Sequence, residues 1–323
     1  MTSPELPLAI FIMGPTASGK TDLAIELRKH LPVDLISVDS AQIYRQLDIG
    51  SAKPDIRTLT DHPHRLIDIR NPTEAYSVAE FLRDAKQHMT EITAKGRIPL
   101  LVGGSMLYFK ILLEGLSDLP EADQGVRDEI QRHADEFGWP SLYDELQQID
   151  PQTAKKLHPN HSQRIQRALE VHQLTGLSMS ELQAAATNNG IGDHYKVVQF
   201  SLIFSDRALL HWRIEQRFEQ MMARGLVAEV NDLYQRGDLH PNLPSMRAAG
   251  YQQIWQHLEG HCSLDEAVQK SIVASRQLAK RQITWLRNWP KVNEICVDSG
   301  ETGSSTENSC NECLKILSQH SIL

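Results

Sequence analysis

The chain has 323 residues, 41% hydrophobic and 23% charged, with a formal net charge of −8. That balance supports a sizeable core and argues against wholesale disorder. Taken alone, the acidic sum argues against nucleic acid as a partner, while leaving room for a local basic face.

The first apolar run, Leu8–Met13, reads as a buried strand and is too short for a membrane span or a leader's apolar segment. A turn follows at 14–20. Leu23, Ala24, Leu27 and Leu31 then recur at helical spacing. Val33–Val38 reads as a second buried strand, closed by Asp39 and Ser40, and 65–69 as a third. Val78, Leu82, Ala85, Met89 and Ile92 form a helical stripe ended by Gly96; a strand at 98–102 leads through Gly103-Gly104 into a helix over 106–113. Strands alternating with helices predict an α/β fold with a parallel sheet flanked by helices.

From 126 to 186 the periodicity is helical alone, broken near Gly138, Pro140, Pro151, Pro159 and Gly176. Strand signal returns at 196–204, followed by helices at 206–224, 226–236 and 263–289 and a short strand at 293–297. The expected organisation is a P-loop α/β core of 1–116 and 195–298, an all-helical insertion of 117–194, and a flexible tail of 299–323. Of four cysteines, Cys310 and Cys313 form a CxxC in that polar tail without a second pair, which favours reduced thiols over a zinc site. A cytoplasmic monomer, with no membrane contact, is expected.

Gly14-Pro15-Thr16-Ala17-Ser18-Gly19-Lys20-Thr21 fits G-x-x-x-x-G-K-[ST]. Glycines let the backbone turn successive N–H groups toward an anion, and the following helix presents its positive end to it. Lys20 adds a point charge, and the Thr21 hydroxyl is a candidate Mg²⁺ ligand. Asp39, ending the second strand, belongs at the same sheet edge, where it takes a proton, holds a metal's water, or simply caps a helix or closes a turn. Ser105 is a site residue or an N-cap.

A phosphate loop does not name a reaction, but these residues together resemble a family. The loop, Ile36 to Tyr44, Asp48 to Pro54, Leu101 to Tyr108, Arg247 to Gln252 and Arg276 to Arg287 are similar to bacterial tRNA dimethylallyltransferases, also called isopentenyltransferases. The resemblance implies transfer of a dimethylallyl group from dimethylallyl diphosphate to N6 of adenosine 37, beside the tRNA anticodon, with Mg²⁺ and release of diphosphate. It implies that Asp39 is the general base, that the loop holds the diphosphate, and that Arg217 binds it too, with Arg213 one turn away. It implies contacts with the anticodon stem-loop at Asp39, Ser40, Ala41, Gln42, Ser105, Arg127, Gln163, Arg164, Ile165, Gln166, Arg167, Arg247, Ala248, Ala249, Gly250, Tyr251 and Gln252. Ser105 stands where many members have Thr.

The charge pattern agrees with an RNA partner. Between Arg247 and Lys291 seven Lys or Arg face three acids. Arg276, Lys280 and Arg287 share a narrow helical arc, with Arg281 beside it. Lys155, Lys156, Arg164 and Arg167 make a second basic stretch. A flipped adenosine needs a stacking partner, for which Tyr251, Tyr108, Phe109 and Trp255 are candidates, although such residues are more often core. The alternatives are a P-loop kinase of a small metabolite and a non-catalytic nucleotide-gated RNA-binding protein.

Overall fold

The computed structural model describes residues 6–117, 119–185, 189–297 and 305–319. In chain order, β1 (Leu8–Met13), α1 (Lys20–His30), β2 (Val33–Val38), α2 (Ile56–Asp61), β3 (His64–Arg65), α3 (Val78–Ala94), β4 (Ile98–Gly103) and α4 (Met106–Glu114) come first. Five helices follow: α5 (Gln124–Phe137), α6 (Trp139–Ile149), α7 (Pro151–Ala154), α8 (Ser162–Thr175) and α9 (Met179–Ala185). The chain then forms β5 (Lys196–Ile203), α10 (Arg207–Ala223), α11 (Leu226–Gln235), α12 (Tyr251–Leu258), α13 (Leu264–Arg287), β6 (Asn293–Cys296) and α14 (Ser305–Gln319).

The strands form a single parallel sheet in the order β3-β2-β4-β1-β5-β6. Ile10 of β1 pairs with Leu100 of β4 and Val198 of β5, and all three are buried. Continuous apolar runs suit strands covered on both faces. Met13 and Val38 both register with Gly103, so β1, β2 and β4 end level. Gly14, Asp39 and Gly104 therefore emerge together at one carboxyl edge, the usual ligand edge of such sheets. Gly103 is needed there because a Cβ would collide with the Val38 backbone.

Two compact units emerge, Met1–Leu113 with Ile191–Leu323, and Glu114–Gly190. The second has its own core of Ile130, Ala134, Leu142, Leu146, Ala154, Ile165, Ala168 and Leu169. Its helices are punctuated as the sequence suggests: Asp123 caps α5, Gly138 (φ 82°) separates α5 from α6, and Gly176 (φ 71°) ends α8.

Two expectations are corrected. The third strand is shorter than 65–69, because Leu66 (φ 65°) and Asp68 (φ 57°) turn left-handed and Asp68 leaves to meet Lys53. The tail, expected as flexible over 299–323, is helical over its described part, α14, and 299–304 and 320–323 lie outside the described residues. Cys310, Cys313 and Leu317 are buried with Leu23, Ala24 and Leu27 in one cluster. Burial raises the Cys310 thiol to about 11 and pushes Cys313 further in the same direction, as befits inert packing groups. Among the described residues no His, Cys, Asp and Glu cluster fit for a metal occurs, and no helix is long and apolar enough to cross a membrane.

Candidate functional site

Between β1 and α1 the loop adopts two left-handed residues, Ala17 (φ 64°) and Gly19 (φ 83°), the latter at the N-cap of α1. Such alternation turns N–H groups inward into an anion-binding nest. Among the described residues no protein acceptor takes the N–H groups of Ala17, Ser18, Gly19, Lys20 or Thr21. The N-terminus of α1 adds its positive end to that concavity.

Lys20 reaches back to the Pro15 carbonyl at 2.6 Å. Burial, and then the Arg217 cation, bring its amine from 10.5 down to about 7, with Asp39 opposing. Arg217, on α10, donates to the Thr16 hydroxyl at 3.2 Å. Burial moves its guanidinium down, and the charges of Asp39 and Asp22 oppose that. Two desolvated cations close to each other make a site that favours a multiply charged anion. Arg213 lies over the Phe204 ring at 5.3 Å instead, so the neighbour of the loop is Arg217.

Asp39 follows β2. Its Oδ1 accepts from the N–H groups of Ala41 (2.8 Å) and Gln42 (3.3 Å), which closes a turn. No partner in the described protein takes Oδ2. The turn reading and the proton-acceptor reading thus occupy different oxygens of one carboxylate. Ser105 does not cap α4 with its hydroxyl; that oxygen accepts the Ser40 N–H at 3.0 Å and ties the β2 turn to β4.

Gln42 is half-buried and internally engaged: its amide donates to the carbonyls of Ser51 and Ala52 and accepts from the Ser37 hydroxyl. Tyr251 is fully buried, its hydroxyl donating to Glu229 at 2.6 Å and accepting from the Ser51 N–H. Burial, then Glu229, push that hydroxyl far above its ordinary range. Tyr251, Tyr108, Phe109 and Trp255 are core residues, so none offers a free stacking face.

Of the other expected RNA contacts, Arg247 is exposed, Ala248, Ala249 and Gln252 are half-buried, and Gly250 (φ 95°) is buried. Lys280, Arg281 and Arg287 are exposed on α13 without an acidic partner among the described residues. Arg276 differs, being half-buried and paired with Glu215 of α10 at 2.9 Å. In the helical unit Gln163, Arg164, Lys155 and Lys156 are exposed, whereas Ile165 is a core residue. Arg127 and Arg167 both grip the fully buried Glu170, and Gln166 donates to the Arg127 carbonyl. Salt bridges and hydrogen bonds to that carboxylate outweigh its burial and hold it below the usual range.

Two residues escape a motif reading. Glu229 of α11 accepts three successive N–H groups, from Asp48, Ile49 and Gly50, and so shapes the loop that holds Gln42. Gln282 of α13 accepts the Thr16 N–H at 2.8 Å and donates to the Gly104 carbonyl at 3.0 Å. A polar residue on the buried stripe of Ala279 and Leu286 was the available signal for it.

Comparison with known proteins is consistent across the chain. The family described as IPP transferase matches residues 42–289, a span that starts beyond the anion loop and Asp39. The full-length tRNA isopentenylpyrophosphate transferase of Bacillus halodurans is 36% identical, covers 97% of this chain and 98% of its own, and superposes with a TM-score of 0.70. The tRNA delta(2)-isopentenylpyrophosphate transferase of Staphylococcus epidermidis is 31% identical, with 97% and 99% coverage and a TM-score of 0.69. A eukaryotic dimethylallyltransferase acting on tRNA shares the fold at 22% identity and a TM-score of 0.79, with 97% and 80% coverage.

Proposed function

Since this chain belongs to the IPP transferase family, we propose that it is a tRNA prenyltransferase that moves a dimethylallyl group from dimethylallyl diphosphate to N6 of adenosine 37. The observation that carries the reading is the meeting of five unpaired loop N–H groups, Lys20, Arg217 and Asp39 at one sheet edge. The allylic carbon–oxygen bond of the donor breaks, a bond from that carbon to N6 forms, the N6 proton passes to Asp39, and diphosphate leaves.

In this reading the loop N–H groups, Lys20 and Arg217 neutralise charge as it builds on the departing diphosphate. The free Oδ2 of Asp39 accepts the proton, while Oδ1 stays in the turn and fixes the carboxylate's direction. Ser105 holds the Ser40 end of that turn in place.

Mg²⁺ fits the donor set. The Thr21 hydroxyl stands in the first turn of α1 with no hydrogen bond among the described residues, beside the space where diphosphate oxygens would complete the coordination. This ion favours few protein ligands plus substrate phosphates and needs no acidic cage. When bound, Mg²⁺ supplies further charge neutralisation on the leaving diphosphate.

The exposed Lys280, Arg281 and Arg287 support a phosphate-backbone contact on α13. The test is incubation with Mg²⁺ and unmodified tRNA, with dimethylallyl diphosphate in one arm and ATP in the other. A dimethylallyl mass gain on adenosine 37 in the first arm alone is expected. ATP consumption without that gain would instead favour a kinase.

A further inference from the structure

The anion loop offers five free N–H groups, yet the sixth, that of Thr16, is already spent on Gln282. Gln282 is 7% exposed, on the buried side of α13 with Ala267, Ser271, Ile272, Ala279 and Leu286. Its orientation is fixed, because exchanging Oε1 and Nε2 would set donor against Thr16 N–H and acceptor against Gly104 C=O. A Cβ at Gly104 would collide with its Nε2, so glycine there makes room for this amide. Ala279, one turn before Gln282, and Ile283, the residue after it, share a cluster with Ala17 of the loop, so α13 is packed where Gln282 needs it.

We propose that Gln282 ends the anion cradle at Thr16 and thereby selects two phosphoryl groups over three. This rests on the diphosphate reading above and adds to it a residue that sets chain length. A third phosphoryl group extending along the loop toward Thr16 meets an acceptor oxygen in place of a donor. An acceptor facing an anion in a dry site is repulsive, and repulsion against the wrong ligand is half of specificity. The Thr16 hydroxyl, held by Arg217, gives that end a cation for the terminal oxygens of a diphosphate but no further N–H for a longer chain.

The test is calorimetric binding of inorganic pyrophosphate and inorganic triphosphate, each with Mg²⁺, to the full chain. The unaltered protein should prefer pyrophosphate by about tenfold or more. Gln282→Ala should gain triphosphate affinity until the preference falls to about threefold or less, with pyrophosphate affinity little changed. Gln282→Asn, too short to reach Thr16, carries the same expectation should the alanine variant fail to fold. Gln282→Glu keeps an acceptor at Thr16 and should keep the preference while weakening both anions. A purely structural glutamine would lower the melting temperature and leave the ratio alone. An unchanged ratio in the alanine and asparagine variants overturns the inference but not the diphosphate reading. An unaltered protein that binds no pyrophosphate overturns both.

Discussion

The backbone N–H of Ser40 donates to the hydroxyl of Ser105 at 3.0 Å, joining the residue after Asp39 to the residue after the Gly103-Gly104 turn. That bond sets the β2 turn against β4, and Thr would preserve it. Ser105→Ala should cost about 1 kcal/mol or less in stability, as a half-exposed single bond. It should slow single-turnover transfer by about tenfold through misplacement of Asp39. Ser105→Thr should restore the rate. An alanine variant at full speed would detach this contact from catalysis.

Asp39 has two tasks on two oxygens, and Asn separates them. Asp39→Asn keeps a carbonyl oxygen for the Ala41 and Gln42 N–H groups, so fold and tRNA affinity should stay within a few fold. The transfer rate should fall by about 10²–10⁴. A near-normal single-turnover rate in that variant would remove the base role.

Lys20 predicts proton-linked binding. Its amine sits at about 7 in this protein, chiefly through burial. A diphosphate beside it favours the ammonium and raises that value. Binding should therefore take up most of about one proton near pH 8, and almost none near pH 6, where the amine is already charged. Anion affinity should fall as pH rises above about 7. Pyrophosphate calorimetry in buffers of different ionisation heat reads the uptake, and Lys20→Met corrects for the anion's own titration. Equal uptake in both proteins would contradict the assignment.

The basic helix predicts an inequality. Lys280 is exposed and free of acids, whereas Arg276 is paired with Glu215. Lys280→Ala should weaken tRNA binding and reduce the salt slope by about one. Arg276→Ala should act more on stability, since it leaves Glu215 unpaired. If the two variants show the same salt slope as the parent, α13 is not the phosphate-facing helix.

The C-terminal helix should be integral to stability. Leu317 is fully buried against the cluster of Leu23, Ala24 and Leu27. Leu317→Ala should cost about 2–5 kcal/mol, read by denaturant unfolding. Cys313 should resist thiol reagents until the protein unfolds, and rapid native-state labelling would mean that α14 does not stay docked.

The anion loop was legible because its chemistry is local: glycine spacing, a lysine, a strand before and a helix after. The parallel sheet was legible because β1 and β4 are apolar without alternation and strands alternate with helices along the chain. The tail was misread because Ser, Thr and Asn dominated the composition, although Cys310, Cys313 and Leu317 already stood at helical spacing. Arg276 was placed on the RNA-facing arc because angular position alone does not reveal Glu215, 61 residues away. Tyr251 resembled an exposed contact because its buried partners, Glu229 and Ser51, come from separate parts of the chain. Gln282 lies 266 residues from Thr16, and no local pattern announces such a pairing.

Strand order also fixes the sequence of events on the ribosome. Chains emerge from their N-terminus. β1 finds β4 early but keeps an open edge until β5 at 196–203 arrives, and in between the unit 114–190 appears with a core of its own. Thr16 gains its partner only after Gln282 has been synthesised, and the cluster around Leu23, Ala24 and Leu27 of α1 is completed last, by α14. A prematurely ended chain would thus expose an unpaired strand edge and an unfinished loop, making it a client for chaperones and proteases rather than a slow enzyme.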